Sequence, residues 1–219
     1  MGQGHPGGDM NFRFTINRAL VTAFIFSATM LSLPVRATEV AGVKLDETAK
    51  VANQELKLNG AGIRYKLFFK VYVAALYLSD KKSTVPQILA APGAKRIHLV
   101  MLRDVSSEDF GQAFMAGMRK NSDMTERAKI INQMMIFGEL FASIPELKKG
   151  DVLTTDWIPG SGTVCSLNGK KISQVIPDVA FYNALLKIWL GRSPADEKLK
   201  RALLGEKEEP AVTPRTPTY

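Results

Sequence analysis

Two histidines and one cysteine are all that 219 residues contain. His5 lies in a leader set aside below, so the domain proper keeps His98 and Cys165. One of each cannot supply the His/Cys sets that hold zinc, and neither HExxH nor CxxC spacing occurs. A serine hydrolase would have to recruit His98. Its nucleophile elbow is missing, because Gly160-Ser161-Gly162 is flanked by Pro159 and Thr163 and does not form GxSxG. The same Gly160–Thr163 segment lacks the lysine and helix of a phosphate loop, so it reads as a tight turn between strands. His98, inside KRIHLVMLR, reads as a core or sheet-surface residue, and Cys165, alternating with Val164 and Ser166, as a small buried hydrophobe. No cofactor is expected. With a lone cysteine no internal disulfide can form, and a chain of this length can stand on its apolar core instead.

A concentrated basic surface is also missing. The chain starts with MGQGHPGGD, and Met10 opens a second region: basic Arg13 and Arg18, an apolar stretch from Ala19 to Leu33, then Val35-Arg36-Ala37. That order resembles a secretory signal peptide, and Pro34 and Arg36 stop the apolar run short of the ~20 residues of a spanning helix. Cleavage is expected after Ala37, giving a periplasmic or secreted protein. Setting aside Arg13, Arg18, Arg36 and Asp9 leaves 26 basic against 20 acidic residues. The excess is scattered as Lys81-Lys82, Lys95-Arg96, Lys148-Lys149, Lys170-Lys171 and Lys200-Arg201, without interleaved aromatics, so no nucleic-acid partner is expected. Peripheral contact with anionic lipid is compatible with it, and a monomer is the default.

Three segments follow: 1–37 as leader and signal peptide, 38–205 as one domain, and 206–219, a Pro/Thr-rich stretch without apolar period, as a disordered tail. Within the domain, short strands are expected at Val40–Leu45 and Glu55–Leu58, a hairpin turn at Asn59-Gly60, and a long strand from Arg64 to Ser79. Val85–Ala91 reads as a short helix with Pro86 in its first turn. KRIHLVMLR reads as a strand buried on both sides. Ser106-Ser107-Glu108-Asp109 caps a helix bearing Phe110, Phe114 and Met118, and a second helix spans Met124 to Ile144 with Ile130, Met134, Phe137 and Phe141 on one face. DVLTTDWIP, GTVCSL and KISQVI return to strand, the last two joined at Asn168-Gly169. Helices Asp178–Leu190 and Ala195–Leu204 close the domain. The class is α+β, a mainly antiparallel sheet with helices on one face.

Four segments, GAGIRYKLFFKVYVAALYL, LRDVSSEDF, WIPGSGTVCSLNGK and FYNALLKIWLGRSPADEKLKRALLG, are together similar to the bacterial chalcone isomerase-like family. The resemblance runs from Thr38 to Gly205 and implies an open-faced β-sandwich with a cleft between sheet and helical layer. Chalcone cyclisation needs a cation for a phenolate and donors for an enone oxygen and a water. Arg64 is similar to the family's cleft arginine. Tyr72 stands where the plant enzyme has threonine, Phe110 where it has tyrosine, and Gly117 where it has asparagine. Ser161, in Ile158-Pro159-Gly160-Ser161-Gly162, stands in for the enzyme's late threonine.

Phe110 and Gly117 carry no side-chain donor, which argues against cyclisation. The fold's non-catalytic plant relatives bind fatty acids through an arginine and a tyrosine, and Arg64 and Tyr72 are similar to that pair. The implied ligand residues are therefore Arg64, Tyr72, Phe110 and Ser161, with Phe114 and Val73 in the cleft wall and no catalytic residue assigned. Arg64 is otherwise a solvated strand arginine. Three readings stay open: an exported binder of a fatty acid or similar carboxylated apolar ligand, an isomerase or lyase of an unidentified enone, and an envelope interaction module without a ligand.

Overall fold

A computed structural model describes residues 37–206. The leader, the apolar stretch up to Arg36, and the tail beyond Glu206 lie outside the described residues. The elements in chain order are β1 (Ala37–Val40), β2 (Val43–Asp46), β3 (Thr48–Val51), β4 (Gln54–Lys66), β5 (Phe69–Leu78), α1 (Val85–Ala90), β6 (Lys95–Met101), β7 (Val105–Ser106) and α2 (Ser107–Asn121). They continue as α3 (Met124–Lys129), α4 (Ile131–Ala142), β8 (Glu146–Leu147), β9 (Val152–Ile158), β10 (Gly162–Leu167), β11 (Lys170–Lys171), α5 (Val179–Leu190) and α6 (Glu197–Leu203). Seven strands form one antiparallel sheet in the order β11-β10-β9-β6-β5-β4-β3. It is the large curled sheet of an α+β fold.

Strand β5 shows how the layers are built. Side chains alternate across a strand, so Tyr72, Ala74, Leu76 and Leu78 enter the core shared with the helices, while Val73, Ala75 and Tyr77 enter a smaller core with Leu45, Leu56 and Leu58. Both faces are buried, as the near-continuous apolar run demands. Strand β6 differs from the expectation of two buried faces. Ile97, Leu99 and Met101 are buried, whereas Arg96, His98 and Val100 are partly exposed. Those three face the side whose core holds the residues of β2 to β5, and there Arg96 pairs with Asp156 through two 2.6 Å contacts.

The Asn59-Gly60 pair does not turn the chain. It lies inside β4, at a register shift between Leu58 and Gly60. Asn59 donates to the Leu203 carbonyl at 2.7 Å and the Lys82 carbonyl at 3.0 Å, and accepts from the Lys82 N–H at 2.7 Å. A Cβ on Gly60 would fall on the Ala202 carbonyl oxygen, and one on Gly62 would come within 2.8 Å of the Ala202 Cβ. The glycines let α6 lie against the strand, so the expected hairpin is replaced by a helix docking site. The turn comes later, at Leu67-Phe68, and divides the expected long strand into the end of β4 and all of β5. The Asn168-Gly169 turn forms as read, with both residues at positive φ.

The expected long helix from Met124 breaks at Ile130, whose φ of −114° ends α3, and α3 starts with a capping box between Asp123 and Glu126. Ile130, Met134, Phe137 and Phe141 are buried as the spacing required. Of the expected strand KISQVI, Lys171 alone belongs to β11, and Ile176 forms an isolated bridge with Thr163.

Two stability outcomes follow from these contacts. Gly60→Ala is expected to cost about 1–3 kcal/mol by overpacking against α6, while Gly138→Ala in α4, where an added Cβ meets nothing within 4 Å, gains about 0.5–1 kcal/mol; chemical denaturation of both variants checks the contrast. Burial, with the Arg96 charge adding to it, lowers the His98 pKa below 6.5. The unfolded chain therefore takes up that proton first, so the stability His98 contributes is full above pH ~6.5 and declines as pH falls below it. A flatter pH–stability curve in His98→Gln is the expected result, and an unchanged curve would remove this account.

Candidate ligand cleft

At the β4–β5 hairpin end of the sheet the helical layer stands off, leaving a cleft of about 330 Å³, at the low end of small-molecule pockets. Its walls come from β4 and β5, from α2, from Ile188 of α5, and from Ser193-Pro194-Ala195 before α6. Arg64 and Tyr72 sit directly opposite each other in the β4–β5 ladder and both line the cleft. The register shifts again just after Arg64, where the Tyr65 N–H turns to the Asp196 carboxylate at 3.0 Å. Asp196 also caps α6 by accepting from the N–H groups of Lys198 and Leu199. The bulge and the cap are thus one junction, and it fixes the strand end that carries Arg64.

Tyr72 is 5% exposed. Its hydroxyl accepts a 2.9 Å hydrogen bond from the Trp189 indole N–H, which reaches it from α5. Burial pushes the phenol up to about 12, against the opposing pull of the Trp189 hydrogen bond and of nearby Arg64. The group is a neutral hydroxyl at any physiological pH. With Trp189 donating to its oxygen, the Tyr72 proton is still available to an acceptor. Phe110 meets Tyr72 edge-on at 6.2 Å, Phe114 lies 4.4 Å from Phe110, and Trp189 meets Phe114 at 5.3 Å, making a continuous aromatic wall.

Arg64 is partly buried, and among the described residues no carboxylate lies within ion-pair distance of it. Lys66, Lys120 and Asp109 complete the charged lining, three cations against one carboxylate. The arrangement offers a planar fork and a hydroxyl donor beside an apolar wall. That combination suits an oxyanion attached to an apolar body.

Of the residues expected from sequence, Arg64, Tyr72, Phe110 and Phe114 converge here. Ser161 does not. It is exposed in the β9–β10 turn, next to the strand ends that pair with Lys95 and Leu78. Six residues of strand separate that end from Tyr72, about 20 Å. Val73 belongs to the opposite core, and its neighbour Val71 lines the cleft instead. Trp189 carries no sequence signal of its own, although a buried indole needs an acceptor and a tyrosine on an inner strand supplies one. Cys165 is buried, its thiol raised to about 12 by desolvation, which leaves it unreactive.

Residues 37–205 match the family model described as chalcone isomerase-like. The fold is similar to the crystal structure of a fatty-acid binding protein from Arabidopsis thaliana, with a TM-score of 0.61 at 14% identity, over 77% of this chain and 96% of that one. At that identity the likeness is one of fold. No curated protein matches the sequence. The family match extends from β1 through α6 and takes in every residue of the cleft, and the chain belongs to the chalcone isomerase-like family.

Proposed function

We propose that the cleft binds a carboxylated apolar molecule, a fatty acid first among the candidates, without catalysing a reaction on it. The observation that carries this reading is the Arg64 guanidinium, unmatched by a carboxylate among the described residues and set opposite the Tyr72 hydroxyl at the edge of an aromatic wall. The plant structure of the same fold, a fatty-acid binding protein by its description, supports the ligand class. The absence of side-chain donors at Phe110 and Gly117 supports the lack of catalysis. A Cβ on Gly117 would already lie 3.0 Å from the Ile188 Cγ2, so an asparagine there would require the Ile188 side chain to give way.

Affinity and orientation come from different parts of the site. Each methylene taken out of water contributes about 0.8 kcal/mol, and association costs about 4–15 kcal/mol. Chain length therefore governs affinity until the cleft is full. The head group adds about 1.5–3 kcal/mol through charge-assisted hydrogen bonds and sets which end enters.

Calorimetric titration with a homologous series of fatty acids tests this. Affinity is expected to rise with chain length and then level off. Arg64→Ala should weaken it roughly ten- to hundredfold, about 1.5–3 kcal/mol, with little change in thermal midpoint because no ion pair is lost. Arg64→Lys should restore part of it, since the planar fork is gone. Tyr72→Phe should cost about 1 kcal/mol of binding and also lower stability, because it strands the buried Trp189 N–H. No binding at any chain length would refute the proposal. A saturable chalcone cyclisation lost in Arg64→Ala would replace it with the isomerase reading.

The same proposal includes export, supported by the order of basic, apolar and small residues from Met10 to Ala37. Sequencing the N-terminus of protein from its native host should read Thr38-Glu39-Val40, and an intact Met1 or Met10 would rule export out.

A further inference from the structure

The turn between β4 and β5 is apolar and projects from the sheet. Leu67 is 86% exposed, Phe68 76% and Phe69 47%. Leu67 has a φ of +57°, a conformation that suits glycine or asparagine, and the other hairpins hold such positions with Ala41-Gly42, Ala52-Asn53 and Asn168-Gly169, none of them a bulky apolar residue. The aromatic contacts of this tip are Phe68 against Phe69 at 4.2 Å and the Arg103 guanidinium 4.9 Å over Phe69. An apolar turn in water, on a backbone position unfavourable to leucine, has no folding role that these contacts supply.

Cations surround it. Lys66 and Lys70 flank the turn and Arg103 covers it. The Lys148-Lys149 loop joins the same end of the sheet, where Gly150 donates to the Met101 carbonyl and Lys149 to Asp104. Of the carboxylates at this end, Asp104 and Asp151 accept from the backbone N–H groups of Lys149 and Lys148, Asp151 also from the Asn168 amide, Asp196 accepts from the Tyr65 N–H, and Asp109 lies in the cleft lining. Lys66 belongs to the cleft lining as well, so the tip adjoins the cleft mouth.

We infer that the Leu67-Phe68-Phe69 hairpin tip is a membrane-docking device that inserts into an anionic bilayer surface while Lys66, Lys70, Arg103 and the Lys148-Lys149 loop meet the lipid phosphates. A two-residue turn offers far less area than the roughly 1,200 Å² of a stable protein interface. A fluid acyl layer needs no complementary surface to accept three side chains, and an apolar tip ringed by cations suits the boundary between head groups and acyl chains. Docking in this pose sets the cleft mouth at head-group level, where an acyl ligand passes between bilayer and cleft without crossing water. That last consequence rests on the proposed ligand; the docking itself does not.

The test is co-sedimentation of the full protein with vesicles of phosphatidylcholine and phosphatidylglycerol, free of fatty acid, so that the result is independent of whether the cleft takes one. Binding is expected to these vesicles, to be weak on phosphatidylcholine alone, and to fall as salt approaches ~1 M, where screening shortens to about 3 Å. Leu67→Asn with Phe68→Gly suits the turn geometry and should reduce the partition coefficient about tenfold or more with the thermal midpoint kept. Lys66→Gln with Lys70→Gln should weaken binding and flatten its salt dependence. In Phe68→Trp the indole emission should shift to the blue on adding anionic vesicles. Absence of vesicle binding, or binding unchanged by the tip variants, overturns the inference. So does a wild-type dimer that the tip variant dissociates, which would make the hairpin a contact between copies.

Discussion

The hydrogen bond from Trp189 to Tyr72 joins a helix of one layer to an inner strand of the other, and the cleft exists on the terms this bond sets. Both groups are buried, and either one alone would sit unsatisfied in an aromatic environment. Paired, they hold α5 over β5 at one register. Phe114 then packs against the indole and Phe110 against the phenol. The donor is on the tryptophan side, which indole chemistry requires, so the phenol proton is left over.

Two arginines on the same sheet show what a structural cation looks like here and what a different one looks like. Arg96 on β6 forms a bidentate 2.6 Å contact with Asp156, its cross-strand neighbour on β9, and its pKa rises above the ordinary value chiefly through that hydrogen bond. Arg64 on β4 has tyrosine as its cross-strand neighbour. The Asp196 carboxylate, bound to the backbone of the next residue, is taken up by Tyr65 and the α6 cap. The fold therefore completes one guanidinium with an internal carboxylate and, among the described residues, gives the other none. Asp109, which opposes anion entry, is outnumbered at the rim by Lys66 and Lys120.

Much of this was legible in the residues, and the failures have physical causes. The near-continuous apolar run located β5, and period-four spacing located α2 and the core face of α4, because burial there follows local pattern alone. Asn59-Gly60 misled because the local signal for a turn is also the signal for close backbone approach. Only the docking of α6, more than 140 residues away, distinguishes the two. Leu67-Phe68 was invisible for the opposite reason, since no turn residue marks it. His98 and Val100 looked buried on both sides because the extent of a covering layer is a tertiary property. Ser161 was placed by resemblance of a turn motif, and the sheet puts that turn at its far end. Trp189 could have been paired with Tyr72 only after α5 and β5 were known to face each other.

Taken with the substitutions in the helical wall, these features make the cleft selective in a particular direction. Phe110 and Gly117 bring no side-chain donor to the helical wall, and Ile188 closes against α2 at Gly117. The wall is apolar and tight at once. The polar groups that persist, Arg64 and Tyr72, lie on the strand side, adjoining the hairpin whose tip is apolar and whose flanks are cationic. These features support the proposed ligand, an amphiphile whose anionic head and apolar tail would match the cleft and its approach. The gradient from charged mouth to aromatic interior is therefore a property of the β4–β5 hairpin as a whole, since one short stretch, Arg64 to Tyr72, supplies the anchor, the hydroxyl and the exposed tip.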